Sequence, residues 1–330
     1  MTIFAIGAEA MTWSRTSAVL EASVGFDNGG GIGGKGPQMY IDAFASLIAP
    51  TSLTEGWVRF NIQSVSGGTP ASIPLVSYFN SSTDKDAVRI LWTGANEFEV
   101  VYNSSGTTYT SLGKFYSTFY GAYTSFGHCW SVYFKRGSSG IVRVFVNDSI
   151  VFEYTGALNT VDSTFDGVRF KGNDTVRVVN YGCVIFSDEP MFNTRVQTLR
   201  PSGIGNETAW SLTTFGNVDD TGFKTDFEDG VYVNSTGVAL THAMQDATAV
   251  TDRRFSAVIV YAHASIGAGA TPTGMNFRIR QGTTNYTKGA LAITPGEPPK
   301  GFSEVYTTDM VGAPWTLTNI NSLQVGLITT

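Results

Sequence analysis

Two carboxylates on one side of an extended segment are the first arrangement in this chain that could do chemistry. In Glu97-Phe-Glu99 the i, i+2 spacing turns both acids to the same face. A glycosidase uses such a pair about 5–9 Å apart, one as acid and the other as nucleophile or base. Here Phe98 and Val100 alternate with the acids, so the simpler reading is the solvated side of a half-buried strand. Asp226-Phe-Glu-Asp229 reads as an acidic turn. His128, His242 and His263 are widely spaced and form no His-x-His or His-x-x-x-His set, so spacing alone builds no zinc site. His128 and His263 fall on expected strands and read as structural. No serine lies in a Gly-x-Ser-x-Gly elbow. The glycine run Gly29 to Pro37 lacks the Lys-Ser/Thr and the following helix of a phosphate cradle, and reads as a solvated loop. The expectation is a protein without catalytic residues, not an enzyme.

Binding is the better-supplied chemistry. Trp92, Tyr102, Tyr109, Tyr116, Phe119, Tyr120 and Tyr123 form an aromatic stock, and Lys114 to Phe126 carries one charge among its rings. Contiguous exposure of such rings would mark a glycan platform or a protein interface. The competing reading has them capping a core, since tyrosine serves both settings with an apolar ring and a polar tip. Loop oxygens at Asp27-Asn28, Asp162 to Asp166 and Asn217 to Asp220 could take calcium. Such residues also simply stabilise turns. No cofactor is required, and calcium is the one cation these loops would suit.

Composition sets the frame for these side chains. At 330 residues the chain exceeds the usual single core, so two domains are expected, 1–195 and 196–330. Its 37 glycines, with charged residues at only 15%, favour a turn-rich β-sandwich over a helical bundle. A net charge of −6 without a basic stripe argues against nucleic acid as a partner. No apolar run approaches about 18 residues, so no membrane insertion is expected. The N-terminus lacks a basic region and is interrupted by Glu9, which makes it a poor signal peptide. Cys129 and Cys183 would form a disulfide only if their strands were neighbours. Two buried thiols in a reducing compartment are the favoured reading.

Period-two alternation locates the strands. The run His128 to Tyr154 reads as three strands joined by turns at Gly137–Gly140 and Asn147-Asp148. It places Trp130, Val132, Phe134, then Val142, Val144, Val146, then Ile150, Phe152 and Tyr154 on one face. Gly56 to Gln63 buries Val58, Phe60 and Ile62 and leaves Trp57, Arg59 and Asn61 on the other face. Further strands are expected at 73–80, 86–93, 97–103, 107–112, 165–170 and 176–187. Residues 1 to about 50 are the least regular, 195–205 reads as a linker broken at Pro201-Ser-Gly203, and 238–249 has spacing suited to a short helical turn. A second strand series follows at 230–234, 255–264, 275–281 and 302–307.

With those strands placed, the stretch from Trp57 to Pro190 resembles concanavalin A-like domains of the laminin-G and pentraxin type. The resemblance rests on Trp57-Val-Arg59, His128-Cys-Trp130, Val144-Phe-Val-Asn-Asp148 and the closing Phe165–Phe170 and Val184–Pro190 segments. Asp148 stands where the family has glycine. The Glu-x-Asp-x-x-Glu strand of hydrolases with that fold is missing. The back half is similar to the C-terminal part of tailed-bacteriophage virion proteins, on Ala257–Ser265, Phe302–Tyr306 and Trp315–Leu327. Together these imply an antiparallel concanavalin A-like jelly-roll sandwich followed by a smaller β-sandwich for assembly. They also imply a structural protein of the virion, tail- or fibre-associated, made in the host cytoplasm. Its partners would be other virion proteins, further copies of itself and a cell-surface glycan. An adhesin, a capsid decoration protein and a glycoside hydrolase are the alternatives.

Overall fold

The computed structural model describes residues 3–7, 14–16, 38–39, 44–64, 72–94, 96–117, 128–171, 179–192, 199, 201–210, 235–247, 254–297 and 300–330. The chain divides into two compact units, Met1–Val196 and Gln197–Thr330. Both are built from antiparallel sheets, which is the all-β class expected. Among the described residues no helix is long and apolar enough to cross a membrane.

The first unit contains β1 (Ile3–Gly7), β2 (Ser14–Thr16), β3 (Gln38–Met39), β4 (Phe44–Leu53), β5 (Glu55–Ser64), β6 (Ile73–Asn80) and β7 (Lys85–Trp92). Then come β8 (Glu97–Asn103), β9 (Tyr109–Tyr116), β10 (His128–Lys135), β11 (Gly137–Val146), β12 (Ser149–Leu158), β13 (Phe165–Lys171) and β14 (Val179–Ser187). One sheet runs β1-β14-β5-β10-β11-β12 with β3 beside β14, and the other β2-β4-β13-β6-β7-β8-β9. Alternation turns Val58, Phe60, Trp130, Val132, Phe134 and Val144 from the first sheet toward Tyr78, Val88, Ile90, Trp92, Phe98 and Val100 from the second. Phe98 meets Trp130 edge-on at 4.9 Å between centroids, and Phe60 lies 6.2 Å from Trp130 in a stacked pair.

Two phenols cross this apolar layer in opposite directions. The Tyr78 hydroxyl, from β6, donates to the Val132 carbonyl at 2.7 Å, with the Gly56 carbonyl at 3.2 Å. The Tyr181 hydroxyl, from β14, donates to the Leu75 carbonyl at 2.9 Å. Burial pushes both phenols well above the ordinary tyrosine value, so both remain donors.

The Asn147-Asp148 hairpin turn is as expected, with φ of 49° and 63° at its two residues. Asp148 also does what a glycine could not: its carboxylate accepts from Arg59 Nη1 at 2.8 Å and ties the turn to β5. The face of β5 expected to be open is therefore largely covered. Arg59 and Asn61 are each only 7% exposed. Gly137–Ser139 belong to β11 rather than to a turn, which is confined to Arg136. A register shift between Val144 and Phe145 leaves Ile150 exposed instead of inward. Residues 44–53, within the stretch read as irregular, form a ten-residue strand. β9 extends to Tyr116, beyond its expected end at 112.

The second unit contains β15 (Pro201–Thr208), β16 (Ala239–Met244), β17 (Val258–Ala264), β18 (Met275–Gln281), β19 (Thr284–Ala290), β20 (Lys300–Tyr306), α1 (Leu317–Asn321) and β21 (Leu323–Thr329). Its sheets are β15-β16-β21-β18-β19 and β17-β20, around a core that includes Leu240, Val260, Phe277, Ile279, Trp315 and Ile320. The expected linker at 195–205 is in part β15. Gly205 makes this pairing feasible, because a Cβ there would collide with the Thr241 carbonyl. The expected helical turn at 238–249 is instead β16, held between β15 and β21, so tertiary pairing overrides local spacing. β19 was not anticipated; its polar sequence Thr-Asn-Tyr-Thr-Lys-Gly-Ala suits an edge strand. The strand expected at 230–234 lies outside the described residues.

Asp309 organises the close of this unit. Its Oδ1 accepts from the backbone N–H groups of Val311 and Ala313, and Oδ2 accepts from Gln281 Nε2 and Asn319 Nδ2. Burial pushes this carboxyl up, but the four hydrogen bonds together outweigh it and hold the group below its ordinary value.

Two predictions follow from these contacts. Tyr78→Phe removes a donor from two inward carbonyls and should cost the first unit about 1–3 kcal/mol in urea unfolding; an unchanged midpoint would dismiss the cross-core tie. Asp309 is depressed relative to the unfolded chain, so its stabilisation is complete above about pH 3.9 and is lost as pH falls through the folded value. Asp309→Asn should therefore lower stability at pH 7 by about 1–3 kcal/mol, with the gap to the parent closing below about pH 4 in thermal melts.

Candidate functional site

β9 is the outer edge of the second sheet, and two of the expected binding aromatics, Tyr109 and Tyr116, stand at its two ends. They are seven residues apart, so strict alternation would send them to opposite faces. A bulge prevents this. Val100 pairs with Gly113 and Val101 with Ser111, which leaves Leu112 as the extra residue. Gly113 takes φ of 141°, a conformation that side-chain-bearing residues rarely adopt. Both tyrosines consequently face away from the core, opposite Asn103 and Glu97, with Ser111 and Lys114 between them.

Each tyrosine is held by charged neighbours. Arg89 on β7 places its guanidinium carbon 3.9 Å over the Tyr109 ring, while its Nε donates to Asp86 Oδ2 at 2.6 Å. Arg169 on β13 shares a row with Arg89 across Ser77 and lies 4.1 Å over the Phe79 ring. It pairs with Asp84, and its Nη1 lies 3.8 Å from Asp86 Oδ1. Burial raises the Tyr109 phenol against the opposing field of Arg89. At the other end, Glu97 Oε1 accepts from Lys114 Nζ at 2.7 Å and Thr93 Oγ1 at 3.0 Å. Its Oε2 accepts from the Tyr116 hydroxyl at 2.9 Å. These bonds, that of Lys114 first, hold the Glu97 carboxyl below its ordinary value and raise Lys114 and Tyr116. Tyr116 is 71% exposed. The result is a polar strip with an oriented ring at each end, fixed donors and one firmly anionic carboxylate.

The other expected site residues are placed differently. Trp92 is fully buried in the core, its indole N–H donating to the Gly94 carbonyl. Tyr102 is half-buried and packs against the core. Phe119, Tyr120 and Tyr123 lie outside the described residues. Glu97 and Glu99 share the outward face, as their spacing requires. The loop acids at 162–166 are engaged as staples: Asp162 accepts from Thr83, and Asp166 accepts from the backbone and hydroxyl of Ser81. Among the described residues no three His, Cys, Asp or Glu side chains gather around a cation position. The other two candidate loops, at 27–28 and 217–220, lie outside the described residues, as does Asp226–Asp229. His128 and His263 lie on β10 and β17. His242 is buried on β16, where burial lowers its pKa. Cys129 is on β10 and Cys183 on β14, and β5 lies between these strands, so the strands are not neighbours. Cys129 is half-buried rather than buried.

Two groupings escaped sequence reading. Arg89, Asp86 and Arg169 come together only through register across β13, β6 and β7. On the outer face of the first sheet, Trp57 stacks on Tyr133 at 4.8 Å, with Phe145 and Phe192 each 5.7 Å from it. The signal for the second lay in outward parity, since Trp57, Tyr133 and Phe145 all alternate against core residues of adjacent strands.

No protein-family model matches the chain, and no curated protein matches it in sequence. Solved structures similar in fold include the receptor-binding domain of botulinum neurotoxin type G, at 11% identity and a TM-score of 0.37 over 54% of this chain and 44% of that one. A carbohydrate-binding module from Bacillus subtilis is similar at 9% identity and a TM-score of 0.35, over 54% of this chain and 96% of the module. The conserved carbohydrate esterase of Shiga toxin-encoding bacteriophage phi24B is similar at 16% identity and a TM-score of 0.39, over 57% and 99%. The chain spans less than half of the neurotoxin domain and 17% of a sialidase that it also matches. At these identities and scores, none of them assigns a function to the chain.

The clamp on Glu97 is measurable. In carboxyl-detected NMR, Glu97 should titrate below the ordinary value of about 4.3 and move up toward it in Lys114→Met. A Glu97 that titrates normally in the parent protein would remove the clamp.

Proposed function

We propose that the chain is a non-enzymatic component of a bacteriophage particle, associated with the tail or its fibres, whose first unit contacts cell-surface glycan. Copies of the chain assemble symmetrically on the particle with other virion proteins. The observation that carries the glycan contact is the strip along β9: Tyr109 and Tyr116 on one outward face, each oriented by a charged partner. Flat rings flanked by fixed donors and acceptors suit a sugar, whose faces are apolar and whose edges are hydroxyls. The resemblance of the sequence to lectin-like and virion proteins supports the setting.

Of the two carboxylates that glycoside hydrolysis would use, Glu97 is unsuited to the part of the acid. A general acid needs a carboxyl raised toward neutral pH, and Glu97 is held in the other direction.

Light scattering on the purified chain, run beside a glycan array, tests this reading. The expected result is a defined oligomer with a glycan signal. Tyr116→Ala and Tyr109→Ala should each weaken that signal about tenfold or more, with thermal melts unchanged for the exposed Tyr116. A monomer would defeat the assembly reading, and a silent array would defeat the glycan reading.

A further inference from the structure

We infer that the Arg89 end of the β9 strip is a subsite for a sugar carboxylate, so that the glycan bound is acidic; this rests on the glycan-contact reading above. Arg89 carries five N–H donors, and one, at Nε, is engaged by Asp86 at 2.6 Å. Its ring-side face is engaged by Tyr109 at 3.9 Å. Those two contacts hold the guanidinium at its Nε and over the ring. Among the described residues no hydrogen bond engages its Nη1 and Nη2 groups, and the side chain is 29% exposed. The terminal fork is therefore both held and open.

An open guanidinium fork matches a carboxylate through two parallel charge-assisted bonds. Ordering costs are low because the side chain is already held. Two of the acids near this point are already engaged. Asp86 is 5% exposed, so its charge is withdrawn from the surface and shared between Arg89 and Arg169. Asp84 is committed to Arg169, two strands away along the row. Next to Arg89 in its own row stand Val101 and then Ser111, neither of them acidic. Ser111 is exposed and supplies a hydroxyl for a neighbouring sugar oxygen. The Glu97 end, by contrast, presents a fixed negative charge and an exposed ring, and suits a neutral sugar unit. One strip thus offers two chemically different ends.

The test uses the full chain and paired probes: oligouronates and sialylated oligosaccharides, each beside its carboxyl-reduced counterpart, titrated by calorimetry. The parent protein should bind at least one acidic probe about tenfold or more tighter than its reduced form. Arg89→Lys keeps the charge but loses the planar fork, and should bring the two forms to within about threefold. Arg89→Gln should do the same, and Arg143→Gln, on the other sheet, should keep the full preference. Equal binding of acidic and reduced probes by the parent would overturn the carboxylate subsite while leaving glycan contact standing. A preference that survives in Arg89→Lys would also overturn it. Binding of no probe, together with a silent glycan array, would remove both readings.

Discussion

The first unit depends on two hydroxyls that must find partners inside an apolar layer. Tyr78 and Tyr181 are fully buried, and an unbonded hydroxyl in that setting is costly. Each reaches across the sandwich to a main-chain carbonyl of the opposite sheet, Tyr78 to Val132 and Tyr181 to Leu75. Hydrophobic burial is non-directional and would tolerate many offsets between two sheets. A hydrogen bond tolerates few. The pair of ties, one in each direction, selects one offset, and the aromatic contacts around Trp130 then fill the space that offset leaves. Once the inner faces are locked, every outward side chain is placed by alternation alone.

Those outward faces are less open than alternation suggests. On the first sheet, Arg59, Ser131 and Asp148 form a connected polar group of which Arg59 and Ser131 are buried, and Trp57, Tyr133, Phe145 and Phe192 stack beside it. On the second, Arg169, Asp86 and Arg89 make a comparable row, with Phe79 and Tyr109 under the two guanidinium planes. In both, arginine lies over an aromatic ring or beside a carboxylate. Its long side chain covers apolar surface while its charge stays satisfied.

The sequence carried the fold where side chains alternate without interruption. Strands 73–80, 97–103 and 275–281 have the ends expected of them, because their inward residues are large and apolar and their turns are chemically marked. It failed where pairing, not patterning, makes the strand. Pro201–Thr208 contains two glycines and Thr284–Ala290 almost no apolar residue, yet both are held as edges by a neighbour. The aromatic stock was legible as a list and not as a surface. Trp92 and Tyr109 look alike in sequence, but one faces the core and the other faces outward. The Arg89–Asp86–Arg169 row was invisible because Arg169 comes 80 residues after Arg89 and meets it only through the register of β6.

The bulge in β9 links the fold to the proposed site. An edge strand presents unpaired main-chain groups that invite another chain, and a bulge beside a lysine is one way to blunt it. β9 has both, with Leu112 extra and Lys114 two residues on. The inserted residue also shifts alternation by one, which is the step that brings Tyr116 to the side of Tyr109. Leu112 still packs against the core, so the parity change costs no inward apolar contact at that residue. Gly113 absorbs the strained backbone that follows. A single extra residue thus interrupts the ladder where a foreign strand would pair and aligns the two rings where a ligand would lie. The two effects share one geometric cause, so a change that straightened β9 would open its edge and turn Tyr109 and Tyr116 to opposite faces in the same step.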